Sequence, residues 1–252
     1  MARANRHHLP GYVWHITHRC HKREFLLKFD KDKRRWIHWL FEAKKRFGLM
    51  ILNFTVTSNH IHLLVKDTRE TAISKSMQLI AGRTAQEYNL RKNRNGAYWE
   101  DRYHATAIAN DNHLIQCLVY IDLNMVRAGA VSHPIDWLHS GYCEIQYPSQ
   151  RYTIIDKNVL MALTDFKELS DFQNAQRDWI NTAIINGPTI RDALWSESIA
   201  VGGLGYVESI QMELGVCAKT RQCIDGGDKY SLRESAVSYS VDLGIKKGRL
   251  SQ

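Results

Sequence analysis

Short runs of apolar residues divide the first part of the chain into candidate strands. Residues 11–20 (GYVWHITHRC), opened by a Pro-Gly pair, predict a first strand. Residues 49–60 (LMILNFTVTSNH) and 61–67 (IHLLVKD) predict two strands or one bent strand. Residues 97–110 (AYWEDRYHATAIAN) alternate apolar and polar side chains well enough for a further strand or hairpin.

Three longer segments repeat their apolar residues at helical spacing, namely residues 30–47, 71–92 and 111–131. Asp30 can cap the first helix and Gly48 can end it. The resulting order, β-α-β-β-α-β-α, predicts an α+β fold with a small, mainly antiparallel sheet and helices on one face. This order is typical of ferredoxin-like and RRM-like folds, not of a parallel, doubly wound sheet.

The pattern changes near residue 150. We expect one domain over residues 1–150 and a mainly helical C-terminal accessory region over residues 151–252. The helical segments of the second region are residues 164–186, 187–200 and 205–215, separated by Gly and Pro breaks. From Asp225 onward the chain is polar and contains Gly and Ser, so we expect a loosely ordered tail.

The composition excludes several classes of protein. With 252 residues, 44% of them hydrophobic, the chain can bury a core of its own. No apolar stretch is long enough to span a bilayer and the first residues lack the apolar core of a signal peptide, so we expect a cytoplasmic protein. The five cysteines form no CxxC pair, which argues against a disulfide framework or a cysteine-rich zinc site.

Basic residues are concentrated near the N-terminus. The net charge is +8, and residues 1–50 alone hold thirteen Lys and Arg against four Asp and Glu. Aromatic residues are interleaved with these cations, a mixture that favours the phosphate backbone of a nucleic acid, although the aromatics alone also fit a helix packed on the core. The basic candidates for DNA binding are Arg19, Lys22, Arg23, Lys33, Arg34 and Arg35.

Two histidines interrupt the apolar strand TSNHIHLLVKD. Because side chains alternate along a strand, His60 and His62 share one face, about 6–7 Å apart. Two imidazoles at this distance can hold one cation. The alternative is a half-buried strand whose two histidines are simply hydrogen-bonded.

A polar stripe runs along the predicted helix of residues 111–131. Gln116, Tyr120, Asn124 and Arg127 follow one another at i, i+4, i+8 and i+11, beside an apolar face suited to the core. We therefore expect Tyr120 to face away from the core, next to an amide and an arginine. The alternative is a tyrosine at the core boundary with its hydroxyl in water.

Together these residues indicate phosphoryl transfer. Two neutral imidazoles and one amide oxygen make a neutral ligand set with open positions, suited to Mg²⁺ or Mn²⁺ that also binds a phosphate oxygen. The phenol of Tyr120, with an ordinary pKa of about 10, needs the metal or Arg127 nearby to become a nucleophile. Ester exchange requires no nucleotide hydrolysis, in agreement with a sequence that lacks a P-loop motif.

Two segments, SNHIHLLV and YIDLNMVRAGAV, together resemble the single-tyrosine (Y1) HUH transposases. These are the IS200/IS605-like enzymes, and the resemblance is strongest to those associated with repetitive extragenic palindromes (REP). The HUH motif falls on His60 and His62, the nucleophile on Tyr120 and the metal-binding amide on Asn124.

A third segment, YWEDRYHATAI, looks like the W-x-x-R-aromatic segment of the same family and matches Trp99, Arg102 and Tyr103. Met125 stands where relatives often carry proline, away from the chemistry. The resemblance covers about residues 5–145, and the remaining C-terminal residues have no counterpart in the shortest family members.

The resemblance implies the HUH endonuclease fold and a single-stranded DNA endonuclease and strand transferase. It implies Mg²⁺ or Mn²⁺ as cofactor, a covalent 5′-phosphotyrosine intermediate and DNA hairpins, such as REP-like palindromes, as substrate. Trp99, Arg102, Tyr103 and Arg127 join the basic residues as candidates for lining the DNA. Such a protein would associate with the nucleoid of a bacterium, and both a homodimer and a monomer stay open.

Three alternatives come from other classes. A replication initiator or relaxase shares the HUH chemistry but often uses paired tyrosines or an appended helicase. A metallohydrolase with a His-x-His zinc site usually continues with acidic and histidine ligands, whereas Leu63, Leu64 and Val65 follow here. A domesticated descendant would hold DNA hairpins without cleaving them.

Overall fold

The structure, a computed structural model, describes residues 9–69, 71–187, 192–218 and 221–234. Within these residues the strands form one seven-stranded sheet in the order β2-β3-β1-β4-β5-β7-β6. The strands are β1 (Val13–Arg19), β2 (Met50–Val56), β3 (His60–Lys66), β4 (His104–Ile108), β5 (Ala200–Gly202), β6 (Arg221–Asp225) and β7 (Tyr230–Glu234).

The helices cover both faces of this sheet. They are α1 (Asp30–Phe47), α2 (Ala72–Arg91), α3 (Asn112–Asp122), α4 (Asn124–Arg127), α5 (Gly141–Gln146), α6 (Lys157–Leu163), α7 (Leu169–Ile185), α8 (Leu194–Glu197) and α9 (Leu204–Leu214). Helix α1 ends at Gly48, whose φ of 67° is the left-handed conformation that glycine adopts without strain. It packs against α2 in a single layer.

The register of the central strands decides which side chains share a face. Strand β1 pairs antiparallel with both β3 and β4, and Thr17 lies opposite His62 on one side and His104 on the other. Because side chains alternate, His15 and His62 point to the same face, which α3 and α8 cover. His18 points to the other face, where it lies near Met77 of α2.

The predicted α+β fold with a mainly antiparallel sheet is confirmed, although helices pack on both faces and not on one. Of the two possibilities, two strands or one bent strand, the structure has two, since β2 ends at Val56 and β3 begins at His60. Of residues 97–110 only β4 is a strand. The expected continuous helix over residues 111–131 is interrupted at Leu123, where α3 ends before α4 begins.

The C-terminal region differs most from expectation. Helices α7 and α9 lie within predicted helical segments, but β5, β6 and β7 were not predicted, and Tyr230–Glu234 forms a strand where a loosely ordered tail was expected. Strand β5 has only three residues, too few for an alternating pattern to show. The sheet therefore continues across the expected boundary near residue 150, and residues 235–252 of the expected tail lie outside the described residues.

Four of the five cysteines lie where the structure describes the side chains. Cys20, Cys117, Cys143 and Cys223 are free, and the first two are buried. No helix of the described ranges is long and apolar enough to cross a membrane.

Candidate active site

Residues distant in the sequence meet on the face of the sheet that α3 covers. The rings of His60 and His62 are 5.0 Å apart between centroids. The ring of Tyr120, from α3, lies 5.8 Å from that of His62, and the amide of Asn124, at the start of α4, contacts His62 directly. The structure thus brings together the four residues that the sequence assigned to the chemistry.

The tautomer of His62 follows from its neighbours. Nδ1 of His15 is 2.7 Å from the carbonyl oxygen of Trp195, which can only accept, so His15 carries its proton on Nδ1. Nε2 of His15 then accepts from Nδ1 of His62, 2.9 Å away. The lone pair of His62 is left on Nε2, on the side of Asn124.

Burial keeps both of these rings neutral. Desolvation lowers the pKa of His15 to about 4, outweighing the carbonyl of Trp195, which raises it. Desolvation likewise lowers the pKa of His62 well below its ordinary value, and the neighbouring His60 lowers it further. At neutral pH each ring therefore has one donor and one acceptor nitrogen.

His60 is oriented by the turn that precedes it. Its Nδ1 lies 2.7 Å from Oδ1 of Asn59 and 2.9 Å from Oγ1 of Thr57. Because the amide oxygen only accepts, Nδ1 is the donor and the lone pair of His60 lies on Nε2. Both histidines of the pair thus offer the same ring nitrogen.

Two neighbouring side chains cover the ring of Tyr120. The guanidinium of Arg127 lies 4.1 Å from the centre of the phenol ring and donates to the Tyr120 carbonyl at 2.6 Å, while the ring of Trp195 is 6.1 Å away. Tyr120 is consequently only 7% exposed, and the expectation that it faces away from the core is wrong. Burial lowers the pKa of Arg127, partly offset by the neighbouring Tyr120 and Asp192.

The break at Leu123 turns Asn124 toward the histidines. Nδ2 of Asn124 lies 2.9 Å from Nε2 of His62, and rotation of the amide about its χ2 angle would present the oxygen to the same space. Two Nε2 lone pairs and this amide fit a divalent ion that prefers nitrogen and oxygen ligands. The described part of the chain contains no cluster of three His, Cys, Asp or Glu residues that could hold a metal.

A buried polar network fixes the last turn of α3. Asp122 accepts from Nδ2 of Asn53 in β2 and from Nε2 of Gln176 in α7, both at 2.8 Å. Burial raises the pKa of Asp122 to about 7, although both amides lower it. Helix α3 is thereby tied to the sheet on one side and to the C-terminal region on the other, two residues from Tyr120.

Some of the predicted DNA-binding residues lie near this site. Arg19 is the partner of His60 across the β1–β3 ladder. Lys22 and Arg23 are exposed on a turn with positive φ, and their segment is bound to the turn before His60, since Asn59 donates to the Arg23 carbonyl at 3.2 Å. These basic groups therefore border the histidine pair.

The basic residues of α1 differ in their availability. Arg34 pairs with Asp30 at 2.6 Å, and Arg35 holds Glu87 through two bonds of 2.7 and 2.6 Å. Lys33 is only 4% exposed and donates to the carbonyl of Lys28, so the expectation that it faces a ligand from the helix surface is wrong. Its aliphatic stem packs inward while the ammonium is satisfied locally.

The W-x-x-R-aromatic segment lies on the other face of the sheet from His15. Trp99 stacks on His18 with ring centroids 4.0 Å apart, and Tyr103 is buried. Trp99 is half-buried, and its indole nitrogen donates to the carbonyl of Ala81 in α2 at 3.0 Å. Arg102 is exposed and lines, with these rings, a cavity of about 460 Å³.

Sequence reasoning missed several groups. His15 gives a weak signal, since it is a polar residue within the apolar run of residues 13–16 in β1. Trp195 gives none, because it lies far along the chain in a segment without a motif. Phe25 and Phe29, 64% and 56% exposed, are the available aromatics beside the basic turn.

Parts of this chain are similar to known proteins. A family model described as IS200-like transposase matches residues 9–124. A search of curated proteins gives no significant match. A solved REP-associated tyrosine transposase bound to a REP hairpin is similar at 19% identity and a TM-score of 0.49, over 62% of this chain and 94% of that one. A protein from Deinococcus radiodurans, described as a transposase, is similar at 17% identity and a TM-score of 0.34, over 47% of this chain and 95% of that one.

The matched segment begins before β1 and ends at the amide of the site. It contains His60, His62, Tyr120 and Asn124, and none of the strands β5–β7. Through residues 9–124 this chain is similar to the IS200-like transposases.

Proposed function

We propose that the protein is a metal-dependent, single-stranded DNA endonuclease and strand transferase that acts on hairpins through Tyr120. The observation that carries the proposal is the convergence of two strand histidines, the phenol and the Asn124 amide, with both histidine Nε2 lone pairs fixed. A merely structural pair of histidines would not need an amide and a phenol from a helix sixty residues away.

The ligands and their charge favour phosphodiester chemistry. His60, His62 and Asn124 would hold the ion, which when bound polarises the phosphate and offsets charge in the transition state. All three ligands are neutral, so the ion keeps its full positive charge toward the DNA. Arg127, lying over the phenol ring, adds a second cation that favours the ionised form of Tyr120.

Tyr120 exchanges one phosphate ester for another. Its phenolic oxygen forms a bond to phosphorus, and the bond from phosphorus to the 3′ oxygen of the preceding nucleotide breaks. The phenol gives up its proton and the leaving 3′ oxygen gains one. The products are a 5′-phosphotyrosine and a free 3′ hydroxyl, so the reverse reaction with a new 3′ hydroxyl transfers the strand.

The basic turn beside the site is the proposed entry for the DNA backbone. Lys22 and Arg23 are exposed there, and Phe25 and Phe29 offer ring faces to unpaired bases. Hairpins such as REP-like palindromes combine a duplex for the cations with unpaired bases for the rings. Binding should weaken steeply with salt, because each phosphate contact releases counterions.

The test is a covalent adduct. Labelled hairpin DNA incubated with the protein and Mg²⁺ or Mn²⁺ should give a protein–DNA adduct that survives denaturation. Tyr120→Phe should abolish the adduct and leave hairpin binding nearly intact, whereas Tyr152→Phe, at an exposed tyrosine, should change neither. An adduct formed by Tyr120→Phe would exclude Tyr120 as the nucleophile.

One observation favours a second candidate. The cover of Trp195 and Arg127 over Tyr120 suits a protein that holds hairpins without cleaving them. Intact hairpin binding by the unaltered chain, with no adduct in either metal, would support this candidate against the endonuclease.

A further inference from the structure

A chain of two hydrogen bonds connects the C-terminal region to the metal-ligand candidate His62. The carbonyl of Trp195 accepts from Nδ1 of His15, and Nε2 of His15 accepts from Nδ1 of His62. His15 is fully buried, and its ring stacks on that of His62 at 5.1 Å with an interplanar angle of 11°. Within the described ranges, His15 is the hydrogen-bond partner of Nδ1 of His62.

The direction of both bonds is set at the Trp195 end. A neutral imidazole has one donor and one acceptor nitrogen, and a carbonyl oxygen can only accept. His15 must therefore donate through Nδ1 and accept through Nε2, which obliges His62 to donate through Nδ1. His62 is left with its lone pair on Nε2, the atom that faces Asn124.

The accepting carbonyl is itself held in place. Thr106 of β4 donates to the carbonyls of both Trp195 and Ser198, at 3.3 and 2.7 Å. The backbone of Ala107 donates to Ile199 at 2.8 Å, which joins the end of this segment to the sheet. On its other side the ring of Trp195 lies under the ammonium of Lys229, 5.1 Å from the ring centre.

We propose that His15 is a positioning residue for His62. Helix α8, in the C-terminal region, supplies through the Trp195 carbonyl the acceptor that fixes the metal-binding tautomer of His62. The inference rests on the proposed function, since it assigns His62 to the metal. The C-terminal region thereby takes part in the active site, because its Trp195 carbonyl orients, through His15, the imidazole proposed to bind the metal. His15 does not serve as a ligand itself, because its Nε2 lone pair is used by His62.

Two substitutions separate positioning from packing. His15→Phe keeps a planar ring in the core but removes both hydrogen bonds. His15→Gln keeps one donor and one acceptor on the same planar group, so it can donate to the Trp195 carbonyl and accept from His62. Thermal unfolding and metal-free hairpin binding report whether each variant keeps the fold.

The test has two readouts on the full chain. Long-range ¹H–¹⁵N NMR of histidine-labelled, metal-free protein should show His15 and His62 both protonated on Nδ1. Mn²⁺ binding, measured by electron paramagnetic resonance, should weaken by about 10–100-fold in His15→Phe, and His15→Gln should stay close to the unaltered protein.

Each outcome has a distinct meaning. A His62 protonated on Nε2 in the unaltered protein overturns the inference, whether or not the variants fold. So does a folded His15→Phe that binds Mn²⁺ as tightly as the unaltered protein. If the unaltered protein shows the expected tautomers but binds no Mn²⁺, then this inference, the metal site and the proposed function all fail. If the unaltered protein forms the DNA adduct and His15→Phe keeps its Mn²⁺ affinity, only the role of His15 is refuted.

Discussion

The family-matched segment and the C-terminal region contribute to the site in different ways. Residues 9–124 hold the two histidines, the phenol and the amide proposed for the chemistry, and each stands in a short recognisable motif. The region after residue 150 has no such motif, yet it supplies the carbonyl and ring of Trp195 and the amide of Gln176. The groups proposed to react stand in short motifs of the matched segment, whereas Trp195 and Gln176, which contact or hold their neighbours, come from far along the chain.

This contrast extends to the sheet. Strands β1 and β3 carry His15, His60 and His62, and β5 continues the same sheet by pairing parallel with β4. The C-terminal region is thus joined to the catalytic strands through backbone hydrogen bonds as well as through side chains. Loss of a group proposed to react should therefore lower mainly the cleavage rate. Loss of a C-terminal group that packs on the site should lower mainly the free energy of unfolding.

The largest effect is expected from a reacting group. His62→Ala removes a ligand and should lower the rate of hairpin cleavage roughly 1,000-fold or more, because metal stabilisation of the transition state amounts to several kcal/mol. Single-turnover cleavage of labelled hairpin measures the rate. His38→Ala, at an exposed histidine of α1, is the control, and equal rates for the two variants would contradict the assignment.

The next largest effect is expected from Trp195, which packs beside Tyr120. Trp195→Ala empties a buried site beside Tyr120 and should lower the free energy of unfolding by about 3–5 kcal/mol. The backbone carbonyl remains, so Mn²⁺ affinity should fall less than in His15→Phe. Denaturant unfolding measures the loss, and Ile185→Ala, at an exposed residue of the same region, should stay within about 0.5 kcal/mol. Equal stability of the two variants would mean that Trp195 does not hold the site.

A smaller loss is expected at the network under α3. Asp122→Ala leaves the amides of Asn53 and Gln176 without their acceptor, which costs about 1–3 kcal/mol for each buried group. Gln176→Ala removes the link to α7 and the acceptor of Gln146 Nε2, but it leaves the bond from Asn53 to Asp122 in place and should cost less. Unfolding of the two variants and of the double variant gives their coupling, and purely additive losses would show that the C-terminal link does not act through Asp122.

The smallest effect is expected on the surface. Lys22→Ala should lower the slope of log affinity for hairpin DNA against log salt by about one and leave the free energy of unfolding unchanged within about 0.5 kcal/mol. Arg35→Ala, whose guanidinium is paired with Glu87, should change the slope less. Equal slopes for Arg35→Ala and Lys22→Ala would show that the ion pair opens on binding and that α1 also contacts DNA.

The sequence predicted what depends on period and spacing. Alternation identified β1 to β4, helical periodicity identified α1 to α3, and the spacing of two motifs identified the residues that now converge. Side-chain direction was harder to predict. Tyr120 was expected outside the core because it lies in a polar stripe, and Lys33 because charges usually face water, yet both are buried. Both depend on long-range packing, which a local pattern does not contain.

The C-terminal strands and Trp195 were missed for the same reason. Strand β5 is short, and its place beside β4 comes from pairing and not from its own pattern. The role of the Trp195 carbonyl belongs to the backbone, so no residue type could have signalled it. His15 was the one accessible clue, as a fully buried polar residue in an otherwise apolar alternation.

The most direct test is to locate the DNA on the protein by mass spectrometry. After reaction with single-stranded hairpin DNA and Mn²⁺, trypsin should release residues 103–127 as one peptide, which holds both Tyr103 and Tyr120. Fragment ions should assign the 5′-linked nucleotide to Tyr120. Attachment to Tyr103 or to any other residue, or no attachment in a protein that binds both hairpin and metal, would contradict the account.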